Sequence, residues 1–404
     1  MANVYPFAAW LAAGDVAPSV SSLPYDVMNR AEAKEMAAGN PNSFLRVTRS
    51  EIELPEDLSP YSPEVYQRAA ENWQKLCSGV LQQDPQASYY IYSLVWKGRR
   101  QTGVVAAASV ADYDQGIIRK HERTRKEKED DRTRHISTLR AQTGPVFLTY
   151  RDSEEVNAVV MATMNGQPLF DFLASDGIRH SGWQVPQKFT PALQAAFAAI
   201  PRLYIADGHH RAASASRTRA ALAEQGPVGQ ADKFLSVIFP AGQLAILPYN
   251  RVMQDLNGLS CQEFLQALKG VCTVTATDQP IPAHPGQVCL YCQKKWYRLD
   301  FSAADAAATA IDRLDVSLLQ SKIIAPILGI SDPRTDPRID FIGGIRGTDE
   351  LQKRVDSGAA ALAFSMHPTT VEQLMEIADA NEIMPPKSTW FEPKLRDGLF
   401  VHAI

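Results

Sequence analysis

The chain has 404 residues, 45% of them hydrophobic and 21% charged, which is typical of a globular protein with one large core or, as we expect, two to three smaller ones. A formal net charge of −4 argues against a general nucleic-acid-binding surface. Because no apolar run reaches membrane-spanning length and no basic region precedes an apolar core near the N-terminus, we expect a cytoplasmic protein without membrane contact.

The five cysteines do not indicate a disulfide framework, because their number is odd and the chain is long. They are Cys77, Cys261, Cys272, Cys289 and Cys292. The last two form a C-x-x-C pair, which can be half of a metal site, but no second pair or histidine set accompanies it. Because VCLYCQ also fits a buried strand, we expect a strand there.

The first 115 residues are predicted to form an N-terminal α/β segment that packs on the core of the fold. The proline-punctuated stretch 23–27 runs extended, and its Asp26 is either a loop cap or a site residue. The further predictions are a helix over 30–38, a turn and strand over 40–49, a helix over 63–83, and strands over 87–96 and 101–110.

A dense block of mixed charge, GIIRKHERTRKEKEDDRTRH, follows at 116–135. Such a block is typical of a solvated helix with ion pairs four residues apart. It begins, however, where an apolar strand ends, and it gathers polar groups at that point: Lys120, His121, Glu122, Arg123 and Thr124. These groups offer cations for a phosphate and a carboxylate for proton transfer. A solvated helix and a functional site both stay open.

The middle of the chain is predicted to form a mixed sheet with a site at its edge. The predicted elements are a strand over 144–150, a hairpin over 156–172 with Asn165 and Gly166 at its turn, a strand around Trp183, a helix over 191–200, a central strand over 203–206, a helix from 212 onward, and strands over 234–239 and 244–247.

The stretch LYIADGHHR at 203–211 is a strand that leads through a turn into a helix. Gly208 permits a sharp turn, and the first amides of the helix point unpaired N–H groups at an anion such as phosphate. Asp207 at the strand end can bind Mg²⁺ or accept a hydroxyl proton, and Arg211 can hold a phosphate oxygen. The alternative is an ordinary Asp-Gly turn in which His209 and His210 cap the helix.

Residues 259–404 are predicted to be a separate α/β subdomain, because helices and strands alternate regularly there. The predicted elements are helices over 262–268, 314–328, 349–355 and 369–380, strands over 271–276, 338–342 and 359–364, and a hairpin over 288–301. Near the end, two prolines precede Lys387, Ser388 and Thr389, a trio suited to phosphate oxygens. An edge strand protected by lysines would have the same sequence.

Seven segments together resemble the bacterial DUF1015 group nearly from end to end. They are PYDV at 24–27, NPNSFLRV at 40–47, RKHERTRKEKEDDRTRH at 119–135, GPVFLTY at 144–150, YIADGHHR at 204–211, LPYNRV at 247–252 and PPKSTWFEPKL at 385–395. The DGHHR motif resembles the DGH signature of the ParB and sulfiredoxin superfamily. This resemblance implies an α/β fold of the mixed α+β kind, with a ParB/sulfiredoxin-like core over 116–258.

Among the members of that superfamily, the free serine kinases are the functional model. In them the motif's Asp is implicated in catalysis and the following residues meet nucleotide phosphates, which implies these roles for Asp207, Gly208 and His209. They also need an upstream glutamate near the serine hydroxyl, for which Glu122 is the candidate. The residues proposed as further phosphate or nucleotide contacts are His210, Arg211, Lys120, His121, Arg123, Thr124, Arg132, Lys387, Ser388 and Thr389.

The resemblance therefore implies a kinase that takes phosphate from ATP, ADP or pyrophosphate, with Mg²⁺ and with Asp207 as the candidate metal ligand. The acceptor it implies is a small hydroxyl compound, with free L-serine first. One alternative is a ParB-like, nucleotide-binding regulator associated with DNA and without kinase activity. Another is metal-assisted hydrolysis at the histidines. The expected partners are a nucleotide and a small molecule, and a homodimer stays open.

Overall fold

The computed structural model describes residues 1–12, 14–302 and 309–404. The chain forms two compact units, the first made of residues 1–244 and 393–404 and the second of residues 245–392. The predicted segments 1–115 and 116–258 lie wholly or mostly in the first unit, and the last residues of the predicted segment 259–404 return to it. None of the helices in the described part of the chain combines the length and apolar character needed to cross a bilayer.

Both units combine helices and sheets, so the predicted mixed α/β class is confirmed. The strands are β1 (Val4–Tyr5), β2 (Trp10–Ala12), β3 (Leu81–Gln83), β4 (Tyr90–Trp96), β5 (Arg99–Ser109), β6 (Ile118–Arg119), β7 (Ala141–Gln142), β8 (Val146–Tyr150), β9 (Phe170–Leu173), β10 (Arg179–Gln184), β11 (Leu203–Asp207), β12 (Lys233–Pro240), β13 (Ala245–Leu247), β14 (Tyr249–Met253), β15 (Thr273–Thr277), β16 (Gln287–Cys292), β17 (Lys295–Asp300), β18 (Ile339–Gly343), β19 (Leu362–Met366), β20 (Trp390–Glu392) and β21 (Phe400–Ala403).

The helices carry the remaining regular structure. They are α1 (Ala17–Val20), α2 (Arg30–Met36), α3 (Leu45–Thr48), α4 (Pro63–Gly79), α5 (Val110–Asp114), α6 (Lys126–Leu139), α7 (Glu154–Met164), α8 (Thr190–Ala198), α9 (His209–Ala223), α10 (Cys261–Leu268), α11 (Asp315–Leu319), α12 (Asp349–Asp356) and α13 (Val371–Asp379). The helix predicted over 314–328 is shorter than expected, since α11 passes into a π-helical turn over Gln320–Ile324.

The first unit is built on a large mixed sheet in the order β6-β11-β8-β12-β5-β4-β10-β9, with β1 on β5. The pairs β6–β11 and β8–β12 are parallel, whereas β11–β8 and β12–β5 are antiparallel. A smaller sheet has the order β3-β2-β21-β7. The predicted mixed sheet is thus confirmed, and the motif strand β11 lies in it beside the edge strand β6.

Burial fixes the position of the motif. Leu203 and Ile205 of β11 are fully buried in one cluster with Ala212 and Ala215 of α9 and with Phe197 of α8. Burying a large apolar side chain stabilises a fold by about 1.5–3 kcal/mol. The strand and the helix that flank the turn at Gly208 are therefore both held by the core.

The second unit contains a sheet in the order β15-β17-β16-β19-β14-β18, and β13 pairs with β20. The expected strand at the C-x-x-C pair is confirmed as β16. Cys292 at its end is joined to Cys261 by a disulfide, which the sequence reasoning did not expect. Cys77, Cys272 and Cys289 are free thiols.

The helix predicted over 63–83 ends at Gly79, and residues 81–83 form β3. Two further secondary-structure predictions are wrong throughout. The strand predicted within 40–49 is the helix α3, because tertiary burial of Phe44, Leu45 and Val47 outweighs the strand preference of the β-branched residues. The first strand of the hairpin predicted over 156–172 is the helix α7. Its buried Val156, Val159, Val160 and Thr163 recur at helical rather than alternating spacing, and the Ser153 hydroxyl accepts from the Val156 amide to cap the helix.

Candidate functional site

The site begins where β11 meets α9. The strand ends at Asp207, and Gly208 adopts a left-handed conformation with φ 94° before the helix starts at His209. Only glycine takes this conformation readily, and a Cβ there would lie 2.8 Å from Nε of Arg211. The Gly208 amide donates to Oδ1 of Asp207 at 2.9 Å. The turn therefore fixes the Asp207 carboxylate beside the N-terminus of α9.

Two cations flank this carboxylate. Nζ of Lys394 lies 3.2 Å and Nη2 of Arg211 lies 3.6 Å from Oδ2 of Asp207. Burial alone would raise the pKa of Asp207, but Lys394 and Arg211 outweigh it and hold that pKa well below its usual range. Asp207 is thus ionised at neutral pH. Lys394 was not predicted as a site residue, although it lies in the PPKSTWFEPKL segment, where Lys387, Ser388 and Thr389 were predicted.

Three predicted residues meet next to this turn. Because β6 runs parallel to β11, the residues that follow both strands emerge at the same end of the sheet. The His121 amide donates to Nε2 of His209 at 3.4 Å, and the two rings meet edge to face at 4.5 Å between centroids. Nδ1 of His209 lies 3.9 Å from Oε2 of Glu122. The structure therefore brings the start of the charged block to the DGHHR motif.

Both imidazoles are neutral at physiological pH. Burial lowers the pKa of His121 to about 4, and burial together with the neighbouring His121 lowers the pKa of His209 well below its usual value. The contact between His209 and Glu122 is thus not an ion pair. Neutral imidazoles are instead suited to hydrogen bonding or to binding a metal ion.

Ligand atoms of His121, Glu122 and His209 lie within 4.8 Å of one another, a spacing compatible with one metal ion. Two imidazoles and a carboxylate form a donor set found around zinc and non-haem iron, whereas Mg²⁺ prefers oxygen ligands. A metal on Nδ1 of His209 would require the weak hydrogen bond to Nε2 to be given up. Asp207, the ligand predicted for Mg²⁺, already pairs with Lys394 and Arg211. Glu122 is therefore the carboxylate better placed to bind a metal ion.

A small cavity of about 30 Å³ adjoins the motif in the first unit. The polar side chains that line it include Tyr25, Arg132, Gln142, Arg211 and Asp397. Burial raises the pKa of Asp397 to about 7. Gly144 leaves room for this carboxyl group, because a Cβ on Gly144 would lie 2.7 Å from Oδ1 of Asp397. Tyr25 lies in the PYDV segment but was not named as a site residue, and Asp397 lies outside every segment that the sequence motifs singled out.

The profile of the family described as "Protein of unknown function (DUF1015)" matches residues 4–317, which is most of the chain. The chain belongs to the DUF1015 family. The resemblance found in the sequence motifs is therefore confirmed. No curated protein matches this DUF1015 protein.

Solved structures similar to the DUF1015 protein include a free serine kinase in complex with AMP, at 14% identity and a TM-score of 0.36, covering 74% of this chain and 92% of that one. A conserved hypothetical protein from Pyrococcus furiosus is 14% identical, with a TM-score of 0.37 and coverage of 74% and 95%. Truncated SbnI from Staphylococcus aureus is 12% identical, with a TM-score of 0.39 and coverage of 72% and 84%.

The two ends of the charged block have different surroundings in this DUF1015 protein, and a functional role for its first part stays a prediction. Residues 120–122 lie at the site, whereas α6 carries surface ion pairs. Asp130 pairs with Lys126 at 3.5 Å within α6 and with Arg217 of α9 at 2.6 Å. The second half of the block thus ties α6 to the motif helix.

The other predicted phosphate contacts in the first unit occupy several environments. Nζ of Lys120 lies 3.6 Å from the centroid of the Tyr113 ring, and burial lowers the pKa of this lysine. Arg123 is exposed, and the Thr124 hydroxyl donates to Glu129. His210 accepts from the Arg125 amide at 3.0 Å through Nε2. The charge of Lys120 thus lies close enough to the motif to influence the pKa of His209, whereas Arg123 follows three residues later at the surface.

Arg132 and Arg211 are buried more deeply. Nε of Arg132 donates to Asp131 at 3.0 Å, and its guanidinium stacks over the Tyr25 ring at 4.1 Å. Nη1 of Arg211 donates to the carbonyl of Pro145. Both arginines line the small cavity, and Arg211 alone of the two also contacts Asp207.

Lys387, Ser388 and Thr389 lie in the second unit. Ser388 is buried, and its hydroxyl donates to the carbonyl of Pro385 at 2.6 Å. Lys387 is exposed, with Nζ 5.2 Å from the centroid of the Tyr249 ring. Their contact with phosphate stays a prediction.

Proposed function

We propose that this DUF1015 protein transfers a phosphoryl group from ATP, ADP or pyrophosphate to the hydroxyl of a small metabolite, with free L-serine as the first acceptor to test. The observation that carries the proposal is an ionised Asp207, held beside the N-terminus of α9 and within one cluster of Glu122, His209 and basic groups. Phosphoryl transfer depends mainly on alignment and on neutralising charge.

The phosphates of the donor would bind at the start of α9. Its first amides and its dipole favour an anion, and α9 is long enough to carry a full dipole. Lys120 and Arg123 would add positive charge from the neighbouring segment. A divalent cation bound with the donor would neutralise further phosphate charge, and Glu122, with His121 and His209, would hold it.

The acceptor hydroxyl would lie between Asp207 and Glu122. A carboxylate with a depressed pKa is a weak base, but the transition state of phosphoryl transfer is loose and needs little proton abstraction before the bond to phosphorus forms. Asp207 would therefore act chiefly by orienting the hydroxyl. The hydroxyl oxygen bonds to the transferred phosphorus, the bond to the leaving phosphate oxygen breaks, and the hydroxyl proton passes to a carboxylate or to solvent.

The test is direct. Purified protein is incubated with L-serine, a divalent cation (Mg²⁺ or Mn²⁺) and each donor in turn, and O-phosphoserine is measured by mass spectrometry. Asp207→Asn should lose at least 100-fold in rate, whereas Asp57→Asn, at an exposed aspartate, should match the parent. The proposal ends if no donor gives product and Asp207→Asn leaves nucleotide binding unchanged.

Metal-dependent hydrolysis is the second candidate, and the cluster of His121, Glu122 and His209 favours it. It predicts release of phosphate or of another product from the donor without an acceptor. Comparing acceptor-free turnover with phosphoserine formation in the same preparation separates the two functions.

A further inference from the structure

The cavity beside Asp207 contains a buried polar group that its surroundings leave unsatisfied. We call the side chains of Tyr25, Arg132, Arg211 and Asp397 around it the acceptor pocket. Asp397 is 2% exposed, and among the described residues its Oδ1 has no hydrogen-bond partner. Buried polar atoms are nearly always paired in folded proteins. An unpaired oxygen on a cavity wall therefore indicates a ligand or water that donates to it.

The acceptor pocket brings charges of both signs together. Arg132 and Arg211 supply two guanidinium groups, and Asp397 supplies a carboxyl group. Asp26, Arg132, Arg211 and Arg396 all lie close enough to influence the pKa of Asp397. A ligand that carries only one charge would satisfy one side of this arrangement and oppose the other. A zwitterion satisfies both.

The size of the cavity limits what can enter. One water molecule needs about 10–15 Å³ of such space, so a cavity of about 30 Å³ has room for a charged head group of a few atoms, whereas a nucleobase or a ribose does not fit. The acceptor pocket is thus suited to the end of a small metabolite and not to the nucleotide.

Arg211 connects this pocket to the proposed reaction centre. It lines the cavity, and its Nη2 lies 3.6 Å from Oδ2 of Asp207. A molecule anchored by its charged end in the pocket would extend its other end past Arg211 toward Asp207. In a small hydroxy-amino acid that other end carries the hydroxyl.

From these observations we infer that the acceptor pocket binds the ammonium and carboxylate groups of a small hydroxy-amino acid, with Asp397 taking the ammonium and Arg132, reinforced by Arg211, taking the carboxylate. The inference rests on the proposed function for the use of the hydroxyl, but the recognition of the charged end can be measured without any phosphoryl donor.

The first experiment uses calorimetry on the full chain with four ligands and no nucleotide. L-Serine and L-alanine keep both charged groups, ethanolamine lacks the carboxylate, and 3-hydroxypropionate lacks the ammonium. The two amino acids should bind at least ten-fold more tightly than either of the other compounds. Equal binding of all four compounds, or no binding of either amino acid, overturns the inference.

The second experiment measures the proton release that accompanies L-serine binding, in the parent and in variants of the pocket. Because the pKa of Asp397 is raised to about 7, this carboxyl group is about half protonated at pH 7. An ammonium ligand that ionises it fully should therefore release about half a proton. The release is measured as a binding enthalpy that varies with the ionisation enthalpy of the buffer. Asp397→Asn should abolish this release and weaken L-serine binding at least ten-fold. Arg132→Lys should weaken it less, and Asp57→Asn should change neither. An unchanged release in Asp397→Asn overturns the inference.

The inference and the proposed function can fail separately. If L-serine binds with the expected proton release and the expected loss in Asp397→Asn, but no donor yields O-phosphoserine, the kinase proposal fails and the assignment of the acceptor pocket is kept. If O-phosphoserine forms and Asp397→Asn leaves the KM for serine unchanged, the pocket assignment is wrong and the kinase stands.

Discussion

Nζ of Lys394 lies 3.2 Å from Oδ2 of Asp207, although 187 residues separate them in the sequence. The lysine lies in the stretch that returns to the first unit after residue 392, and it meets the carboxylate that ends β11. The last residues of the chain therefore complete the electrostatics of the DGHHR motif. Without Lys394, Arg211 would be the nearest cation left to Asp207.

Lys394→Met tests this contact. Since Lys394 holds the pKa of Asp207 below its usual range, the pair contributes stability that is present above the unfolded-state pKa of about 3.9 and is lost as pH falls through the lower folded-state pKa. The variant should lose about 1–2 kcal/mol of unfolding free energy at pH 7, a value discounted because Asp207 is partly exposed. It should also lose less stability on acidification than the parent. Urea unfolding at pH 7 and pH 2 measures both quantities, and parallel losses in parent and variant would contradict the assignment.

A second prediction concerns metal binding. If His121, Glu122 and His209 bind one transition-metal ion, the protein should bind about one equivalent of Zn²⁺ or Mn²⁺ in competition with a chromophoric chelator. His209→Ala should reduce the affinity at least 100-fold, because it removes one of three ligands. His284→Ala, at an exposed histidine of the second unit, is the matched control. Equal affinity in the two variants would place the metal elsewhere.

A third prediction isolates the role of Gly208. Both Gly208 and Gly39 have a positive φ, of 94° and 68°, but a Cβ at Gly39 meets nothing within 4 Å, whereas one at Gly208 would meet the Arg211 guanidinium. Gly39→Ala should cost about 1 kcal/mol through backbone strain alone. Gly208→Ala should cost about 2–3 kcal/mol, because Arg211 must also move. The difference between the two unfolding free energies in urea measures the contact, and equal costs would show that Arg211 adjusts freely.

The sequence predicted the local structure of the candidate site where its residues are contiguous. The apolar run at 203–206 favours a strand, Gly208 favours a turn, and the alanine-rich segment that follows favours a helix. The strand and the helix are both buried in the core, which reinforces these preferences. The sequence also indicated that an apolar strand ends at the head of the charged block, but only the pairing of that strand places residues 120–122 beside the motif. That strand is β6, and its parallel pairing with β11 brings both ends together.

The parts that could not be predicted depend on long-range packing. Lys394 and Asp397 are single charged residues near the C-terminus, and nothing in their spacing indicates that the chain returns there to the first unit. Local preference also misleads where burial decides, as in α3 and α7, whose β-branched residues favour strands but pack at helical spacing. Tertiary contact, rather than residue type, determined these elements.

A final prediction concerns the dependence of stability on pH through Asp397. Burial raises the pKa of this carboxyl to about 7, above the unfolded value of about 3.9, so between these values the folded state binds a proton that the unfolded state lacks. Stability should therefore fall as pH rises through this range, by up to roughly 1.4 kcal/mol per pH unit from this group. Asp397→Asn removes the titration, so the variant should gain stability relative to the parent as pH rises from 5 to 8. Urea unfolding of both proteins at pH 5, 6.5 and 8 measures the gain, with Asp57→Asn as the control. A constant difference between parent and Asp397→Asn at all three values would mean that Asp397 is ionised throughout, since only a group that takes up a proton on folding makes the two curves diverge.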